Sequence, residues 1–93
     1  MADERFESVW DAICDTPEEA ENLRLRSSLM MALEDHIDHD GLTRSQAAKV
    51  FGVTQPRVSD LVRGKIQLFS LDCLVNMATA AGLRIQLNVA KAA

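Results

Sequence analysis

The chain has 93 residues, of which 47% are hydrophobic and 26% are charged, and its formal net charge at pH 7 is −4. This length suits one small domain with a single core, and the composition is typical of a globular rather than a disordered protein. No apolar stretch approaches the roughly 18 residues that span a bilayer, and the first residues, MADERFESVW, lack the pattern of a secretory signal. We therefore expect a cytoplasmic protein.

The charges are unevenly distributed. Residues 1–42 hold 12 acidic and 3 basic side chains, whereas residues 43–65 hold 5 basic side chains against Asp60 alone. Such asymmetry favours a middle segment that faces a polyanion. The acidic part either faces a basic partner or is an ordinary solvated helix surface.

Residues 1–16 form a separate acidic segment, and residues 17–93 form the domain. The acidic segment carries one apolar stripe at helical spacing, which either covers the protein's own core or binds a basic partner in a groove. The stripe consists of Phe6, Val9, Trp10 and Ile13.

Four glycines mark helix ends in the domain, since a left-handed residue commonly terminates a helix. Each of the four helices also begins at a residue that can cap an N-terminus. The predicted helices cover 17–39, 44–51, 55–63 and 71–81; the glycines are Gly41, Gly52, Gly64 and Gly82; the caps are Thr16, Thr43, Thr54 and Ser70.

The apolar periodicity of the long first helix and of the fourth helix predicts one buried face on each. The methionines are expected to fill gaps in the core. The predicted core residues are Leu23, Leu29, Met30, Met31, Leu33, Ile37, Leu71, Leu74, Val75, Met77, Ala78 and Ala81.

After Gly82 the period changes to strand spacing, with Leu83, Ile85, Leu87 and Val89 on one face. A lone strand needs a partner for its backbone groups. The partner is the same strand of a second copy, the N-terminal stretch 5–10, or the sheet edge of another protein. We favour the symmetric homodimer, the commonest closed arrangement.

The second and third helices have the spacing of a helix-turn-helix, in which small residues let two short helices cross. Ala48, Gly52 and Val58 occupy the crossing, and the apolar residues behind them are Ala47, Phe51, Val53 and Leu61.

The stretch LTRSQAAKVFGVTQPRVSDLVRGK resembles the helix-turn-helix of the Xre/Cro phage-repressor-like regulators, and FSLDCLVNMATAAGLRIQLNV is similar to a subgroup that includes HigA-type antitoxins. The resemblance covers roughly residues 17–89. It implies a mostly α, four- to five-helix phage-repressor-like domain with one C-terminal β-strand, 83–89, used for dimerisation.

The resemblance also implies residue roles. In this family the third helix enters the major groove, which places Gln55, Pro56, Arg57, Ser59 and Asp60 toward base edges. Gln55 could form two hydrogen bonds with adenine, Arg57 could form two with guanine, and Pro56 offers only apolar contact. Asp60 needs a cytosine amine, Arg57 or Arg63 as a partner. The phosphate contacts implied are Thr43, Arg44, Ser45, Thr54, Arg63 and Lys65.

The sequence does not favour a metal site, a disulfide or an enzyme active site. His36 and His39 lie near three aspartates and have the composition of a metal site, but histidine also suits a helix C-terminus, and we expect no metal or other cofactor. Cys14 and Cys73 are isolated and indicate two reduced thiols. No catalytic constellation is present, so enzyme activity is not expected.

These observations lead to the hypothesis of a homodimeric, sequence-specific DNA-binding regulator that reads an inverted repeat. The resemblance further implies an antitoxin that binds a basic RelE/HigB-like ribonuclease toxin and represses its own operon. The alternatives are a stand-alone repressor, a metal-binding helical protein and a protein-interaction adaptor.

Overall fold

The computed structural model describes residues 16–91, which fold into four α-helices. In chain order they are α1 (Pro17–Asp40), α2 (Arg44–Phe51), α3 (Gln55–Val62) and α4 (Leu71–Ala80), with a 3₁₀ turn at Ile66–Leu68 between α3 and α4. The four predicted helices are confirmed to within one residue at each end. The 3₁₀ turn was not predicted. Within these described residues no helix has the length and apolar character needed to cross a membrane.

Three of the four predicted N-caps are confirmed. The side-chain oxygens of Thr16, Thr43 and Ser70 each accept a hydrogen bond of 3.1 Å from the backbone N–H three residues later. At Thr43 the Gln46 side chain also accepts from the Thr43 N–H at 2.9 Å, which completes a capping box. These bonds satisfy N–H groups that have no partner within a helix.

The prediction for Thr54 is wrong in one respect. Its backbone is extended, with φ −83° and ψ 161°, and its carbonyl accepts from the Val58 N–H at 3.2 Å, so α3 does begin there. Its hydroxyl makes no capping hydrogen bond. Because Pro56 in the first turn has no N–H, the start of α3 has one donor fewer to satisfy.

The four glycines end the helices as predicted, with φ between 62° and 79°. After α1, α2 and α4 the residue that follows the glycine donates back into the last turn, at 2.9 to 3.0 Å, and packs against the core. These residues are Leu42, Val53 and Leu83. They form the Schellman arrangement with its apolar contact, which fixes the direction of the chain as it leaves each helix.

The core lies between α1 and the three shorter helices. Leu33 of α1, Phe51 of α2, Leu61 of α3 and Leu74 of α4 are all essentially inaccessible to solvent, as is Phe69 beyond the 3₁₀ turn. Every helix therefore contributes a large apolar side chain to one cluster.

Two core predictions are wrong. Met31 is 56% exposed and Val75 is 39% exposed. Each is adjacent in sequence to a residue on the buried side, Met30 or Leu74. Successive residues of a helix point about 100° apart, so both members of such a pair do not reach the same core. Met30 and Met77 are buried as expected.

The C-terminal segment follows α4 without regular secondary structure up to residue 91, so the described residues contain no strand at 83–89. Leu83 packs against the core, whereas Ile85, Leu87 and Val89 are 39%, 78% and 84% exposed. A strand is defined by its ladder of hydrogen bonds, and residues 16–91 of one copy offer the segment no strand to pair with. Ile85, Leu87 and Val89 therefore remain exposed, and only Leu83 of the alternating set is covered.

Candidate nucleic-acid interface

Helices α2 and α3 pack against each other through a tight turn at Gly52. Ala47 and Ala48 are buried in α2, and their small side chains allow α3 to approach closely. Val58 and Leu61 anchor the inner side of α3 in the core. The opposite side of α3 is consequently left facing outward.

The outward side of α3 contains most of the residues predicted to face bases. At about 100° per residue, Pro56, Ser59, Asp60 and Arg63 lie opposite Val58 and Leu61, and Gln55 in the first turn lies at the edge of this face. Gln55, Pro56 and Arg63 on this face are exposed, and Ser59 and Asp60 are half-buried. The face members are Gln55, Pro56, Ser59, Asp60 and Arg63, and we call them the reading face.

A hydrogen bond connects the reading face to the N-terminus of α2. The Arg44 Nη1 donates to the Ser59 Oγ at 2.6 Å. Thr43 and Ser45, on either side of Arg44, are exposed. The structure thus brings the predicted phosphate-binding residues of α2 alongside the predicted base-facing residues of α3.

The Asp60 carboxylate has a different partner from those expected. The Lys65 Nζ lies 3.6 Å from the Asp60 Oδ1, whereas neither Arg57 nor Arg63 forms an ion pair with it among the described residues. The pairing follows from the end of α3, where the Lys65 N–H donates to the Asp60 carbonyl at 3.1 Å. The lysine therefore offsets the one acidic charge on the reading face.

Arg57 is not on the reading face. Its Nη1 donates to the Leu68 carbonyl at 2.9 Å, its Nη2 lies 3.4 Å from the Cys73 Sγ, and its Cζ lies 4.4 Å from the centre of the Phe69 ring. By helical position it falls on the same side as Leu61. The guanidinium points toward α4 and the 3₁₀ turn.

Arg26 is a structural residue that the sequence analysis missed. Its Nη1 lies 3.2 Å from both the Ile66 and the Phe69 carbonyl oxygens, and its buried Nε has no hydrogen-bond partner among the described residues. A signal was available, because Arg26 lies four residues before Met30 and seven before Leu33, on the stripe predicted to be buried. A basic residue there requires buried acceptors.

The two histidines near the end of α1 both lie close to Asp40. The Asp40 carboxylate lies 3.1 Å from the His39 Nδ1 and 3.5 Å from the His36 Nε2, and the His36 ring lies 6.2 Å from the Phe51 ring. Within residues 16–91 no group of three or more potential metal ligands is present.

Some predicted sites lie elsewhere. The apolar stripe of the N-terminal segment, predicted to bind a partner, lies outside the described residues. Thr54 is exposed beside the start of α3, with its hydroxyl free of any capping bond. The Arg63 side chain makes no hydrogen bond or ion pair within the described part of the chain.

No curated protein matches this chain significantly. The profile of a family described as "Helix-turn-helix domain" matches residues 12–90, which include all four helices and the C-terminal segment. The chain therefore belongs to the helix-turn-helix domain family, among regulators of the Xre/Cro-like type.

Proposed function

We propose that this protein is a sequence-specific DNA-binding regulator whose α3 enters the major groove. One observation carries the proposal: the reading face and the N-terminus of α2 share one surface, joined by the bond between Arg44 and Ser59. This surface combines groups suited to base edges with groups suited to phosphates, as DNA recognition requires. Domains of this family are typically not enzymes.

The reading face offers three kinds of base contact. Gln55 can bond adenine in two places, Pro56 can contact a thymine methyl group, and Asp60 can accept from a cytosine amine, with Ser59 beside them. Each good bidentate pair contributes roughly 1 to 3 kcal/mol of discrimination. The exposure of Gln55 and Pro56 makes them available without rearrangement.

Phosphate contacts surround the base-facing residues of the reading face, and Arg63 at its end is one of them. Thr43, Arg44 and Ser45 lie at the N-terminus of α2, where backbone N–H groups and the helix dipole attract anions. Thr54 precedes α3, while Arg63 and Lys65 follow it. Such contacts fix the register of the protein on DNA and make binding depend on salt.

The proposal includes a homodimer formed through the C-terminal segment, 83–89. Its exposed Ile85, Leu87 and Val89 leave apolar surface uncovered in one copy. A groove of about 430 Å³ lies between α1 and this segment, and residues such as Leu29 and Leu83 line it. Two copies pairing these segments as strands would bury part of this surface and join two α3 helices in one dimer, which recognition of an inverted repeat requires.

A titration against DNA from upstream of the gene tests the DNA-binding proposal. We expect tight, salt-sensitive binding by the wild type, and a selective loss of preference at one base pair in Gln55→Ala. Asn76→Ala, which removes an exposed amide from α4, is the matched control and should bind like the wild type. Equal affinity of the wild type for this DNA and for random DNA would refute the proposal.

Sedimentation of two tail variants tests the dimer. Leu87→Asp places a charge on the apolar side of the alternating segment and should shift the protein toward monomer. Asn88→Asp introduces the same side chain on the polar side and should leave the dimer intact. A monomeric wild type at micromolar concentration, or equal behaviour of the two variants, would exclude the proposed interface.

The finer role proposed is that of an antitoxin, on the basis of the resemblance to HigA-type antitoxins. The acidic segment 1–16, with its apolar stripe, would bind a basic RelE/HigB-like ribonuclease. Expression of an adjacent small basic reading frame should then stop growth, and co-expression of this protein should restore it. Trp10→Ala should weaken the rescue, whereas Asp72→Ala in α4 should not. Without such a frame, the stand-alone cytoplasmic repressor becomes the better proposal.

A further inference from the structure

Two arginines from different helices hold the turn that follows α3. Arg26 of α1 lies within 3.2 Å of the Ile66 and Phe69 carbonyl oxygens, and Arg57 of α3 donates to the Leu68 carbonyl at 2.9 Å. Three carbonyls of one short turn therefore receive guanidinium donors. We call the two side chains and this turn the arginine clamp.

The turn depends on these donors because its own backbone bonds are few. It contains short-range bonds of the 3₁₀ type, such as Leu68 N–H to the Lys65 carbonyl at 3.0 Å and Phe69 N–H to the Ile66 carbonyl at 3.2 Å. The Ile66 carbonyl therefore has a backbone donor as well as Arg26, whereas among the described residues no backbone N–H donates to the carbonyls of Leu68 and Phe69. Hydrogen bonds from charged donors are stronger than those from neutral donors, so the two arginines anchor these two acceptors.

Phe69 completes the clamp. Its side chain is 1% exposed, and the Arg57 guanidinium covers its ring at 4.4 Å from the centre. A cation over an aromatic face is attracted electrostatically, and more strongly when solvent is excluded. Arg57 thus ties α3 to the buried aromatic residue that precedes α4.

We propose that Arg57 is a positioning residue for DNA recognition and not a reader of bases. It holds α3 at a fixed angle to α4 and holds the segment that carries Arg63 and Lys65 next to the DNA backbone. This inference rests on the proposed DNA-binding function. It replaces the guanine contact that the family resemblance implies for Arg57.

The two roles compete for the same atoms. A guanidinium that forms a bidentate hydrogen bond with guanine uses two N–H groups in a fixed plane. Turning Arg57 outward for that purpose would break its bond to the Leu68 carbonyl and uncover the Phe69 ring. The base contact would have to offset both losses, whereas Gln55 and Pro56 face outward without such a cost.

Two arginine-to-alanine variants separate the roles, because each removes one positive charge from the same region. Arg57→Ala should lower the Tm of the free protein by about 5 to 10 °C. It should weaken binding to all DNA sequences by one common factor and leave the salt slope unchanged. Arg63→Ala should leave the Tm within about 2 °C of the wild type and reduce the salt slope by about 1.

A base reader would behave differently. Arg57→Ala would then keep its Tm and lose about 5- to 150-fold of discrimination at a single base pair. That result would overturn the proposal. If Arg57→Ala does not fold, Arg57→Met gives the DNA readout, since it keeps an apolar stem beside the Phe69 ring and removes every donor that could reach guanine. An unchanged base-preference profile in Arg57→Met supports positioning, and a loss confined to one base pair refutes it.

Failure of the DNA-binding function can be recognised separately. A wild type without sequence preference would refute that function, and the Tm values alone would then test the arginine clamp. A lower Tm in Arg57→Ala than in Arg63→Ala would support the clamp, and equal values would refute it.

Discussion

The glycine between α2 and α3 provides a test of why this turn has its shape. Gly52 has φ +69°, and a Cβ added there would lie 3.9 Å from the Ala80 Cβ, an ordinary contact distance. The requirement is therefore conformational and not steric. An L-residue in the left-handed region costs about 1 to 2 kcal/mol. The lower entropy of the unfolded alanine chain offsets about 0.4 to 1 kcal/mol of this.

We expect Gly52→Ala to destabilise the protein by about 1 kcal/mol, which lowers the Tm of a domain of this size by about 4 to 8 °C. Thermal and urea unfolding followed by circular dichroism would measure it. Gly52→Asn is the discriminating control, since asparagine tolerates the left-handed region better than alanine but is larger. Asparagine should cost less than alanine. If it costs more, space at the helix crossing and not φ determines the need for glycine, and our reasoning is wrong.

Two further predictions concern helix caps and pH. Thr43→Ala breaks a capping box and should lower the free energy of unfolding in urea by about 1 kcal/mol. Thr54→Ala removes a hydroxyl that makes no capping bond and should change the free energy of unfolding by less than about 0.5 kcal/mol. Equal losses in the two variants would contradict the assigned caps. Burial, followed by the charges of Asp38 and Asp35, raises the pKa of Glu34 above its usual 4.5. The folded state then holds that proton more tightly than the unfolded state, so the group's stabilising contribution is lost as pH rises through the raised pKa. Glu34→Gln should therefore raise the Tm at pH 7 and lose this advantage below about pH 4.5; a constant difference across pH would refute the assignment.

Most of the fold could be predicted because its helix ends are encoded locally. A glycine ends a helix through its own left-handed φ, and a threonine or serine caps a helix through the N–H group three residues later. The 3₁₀ turn was missed because nothing in its own residues requires it. Its shape depends on Arg26, which lies 40 residues away from Ile66 in sequence. Contacts over such separations leave little trace in local patterns.

The site was predicted less completely than the fold. Helical position places Pro56, Ser59 and Asp60 opposite the buried Val58 and Leu61, and it places Gln55 and Arg57 at the two edges of that outward face. The contacts of Arg57 with the Leu68 carbonyl and the Phe69 ring distinguish it from Gln55. The base-facing role expected of Arg57 rests on the family resemblance alone. The Leu68 carbonyl and the Phe69 ring hold the Arg57 guanidinium within the protein, and the sequence pattern indicated neither as its partner.

The end of α3 differs from the other helix ends in a way that stability alone does not explain. After α1, α2 and α4, an apolar residue follows the glycine and packs against the core, as Leu42 does after Gly41. After α3 the corresponding residue is Lys65, which gives up that contact and remains exposed. Burial of a leucine side chain would contribute about 1.5 to 3 kcal/mol. The lysine is explained if this surface needs a positive charge to bind DNA. The arginine clamp then fixes the chain after α3, as the apolar contact does after the other three helices.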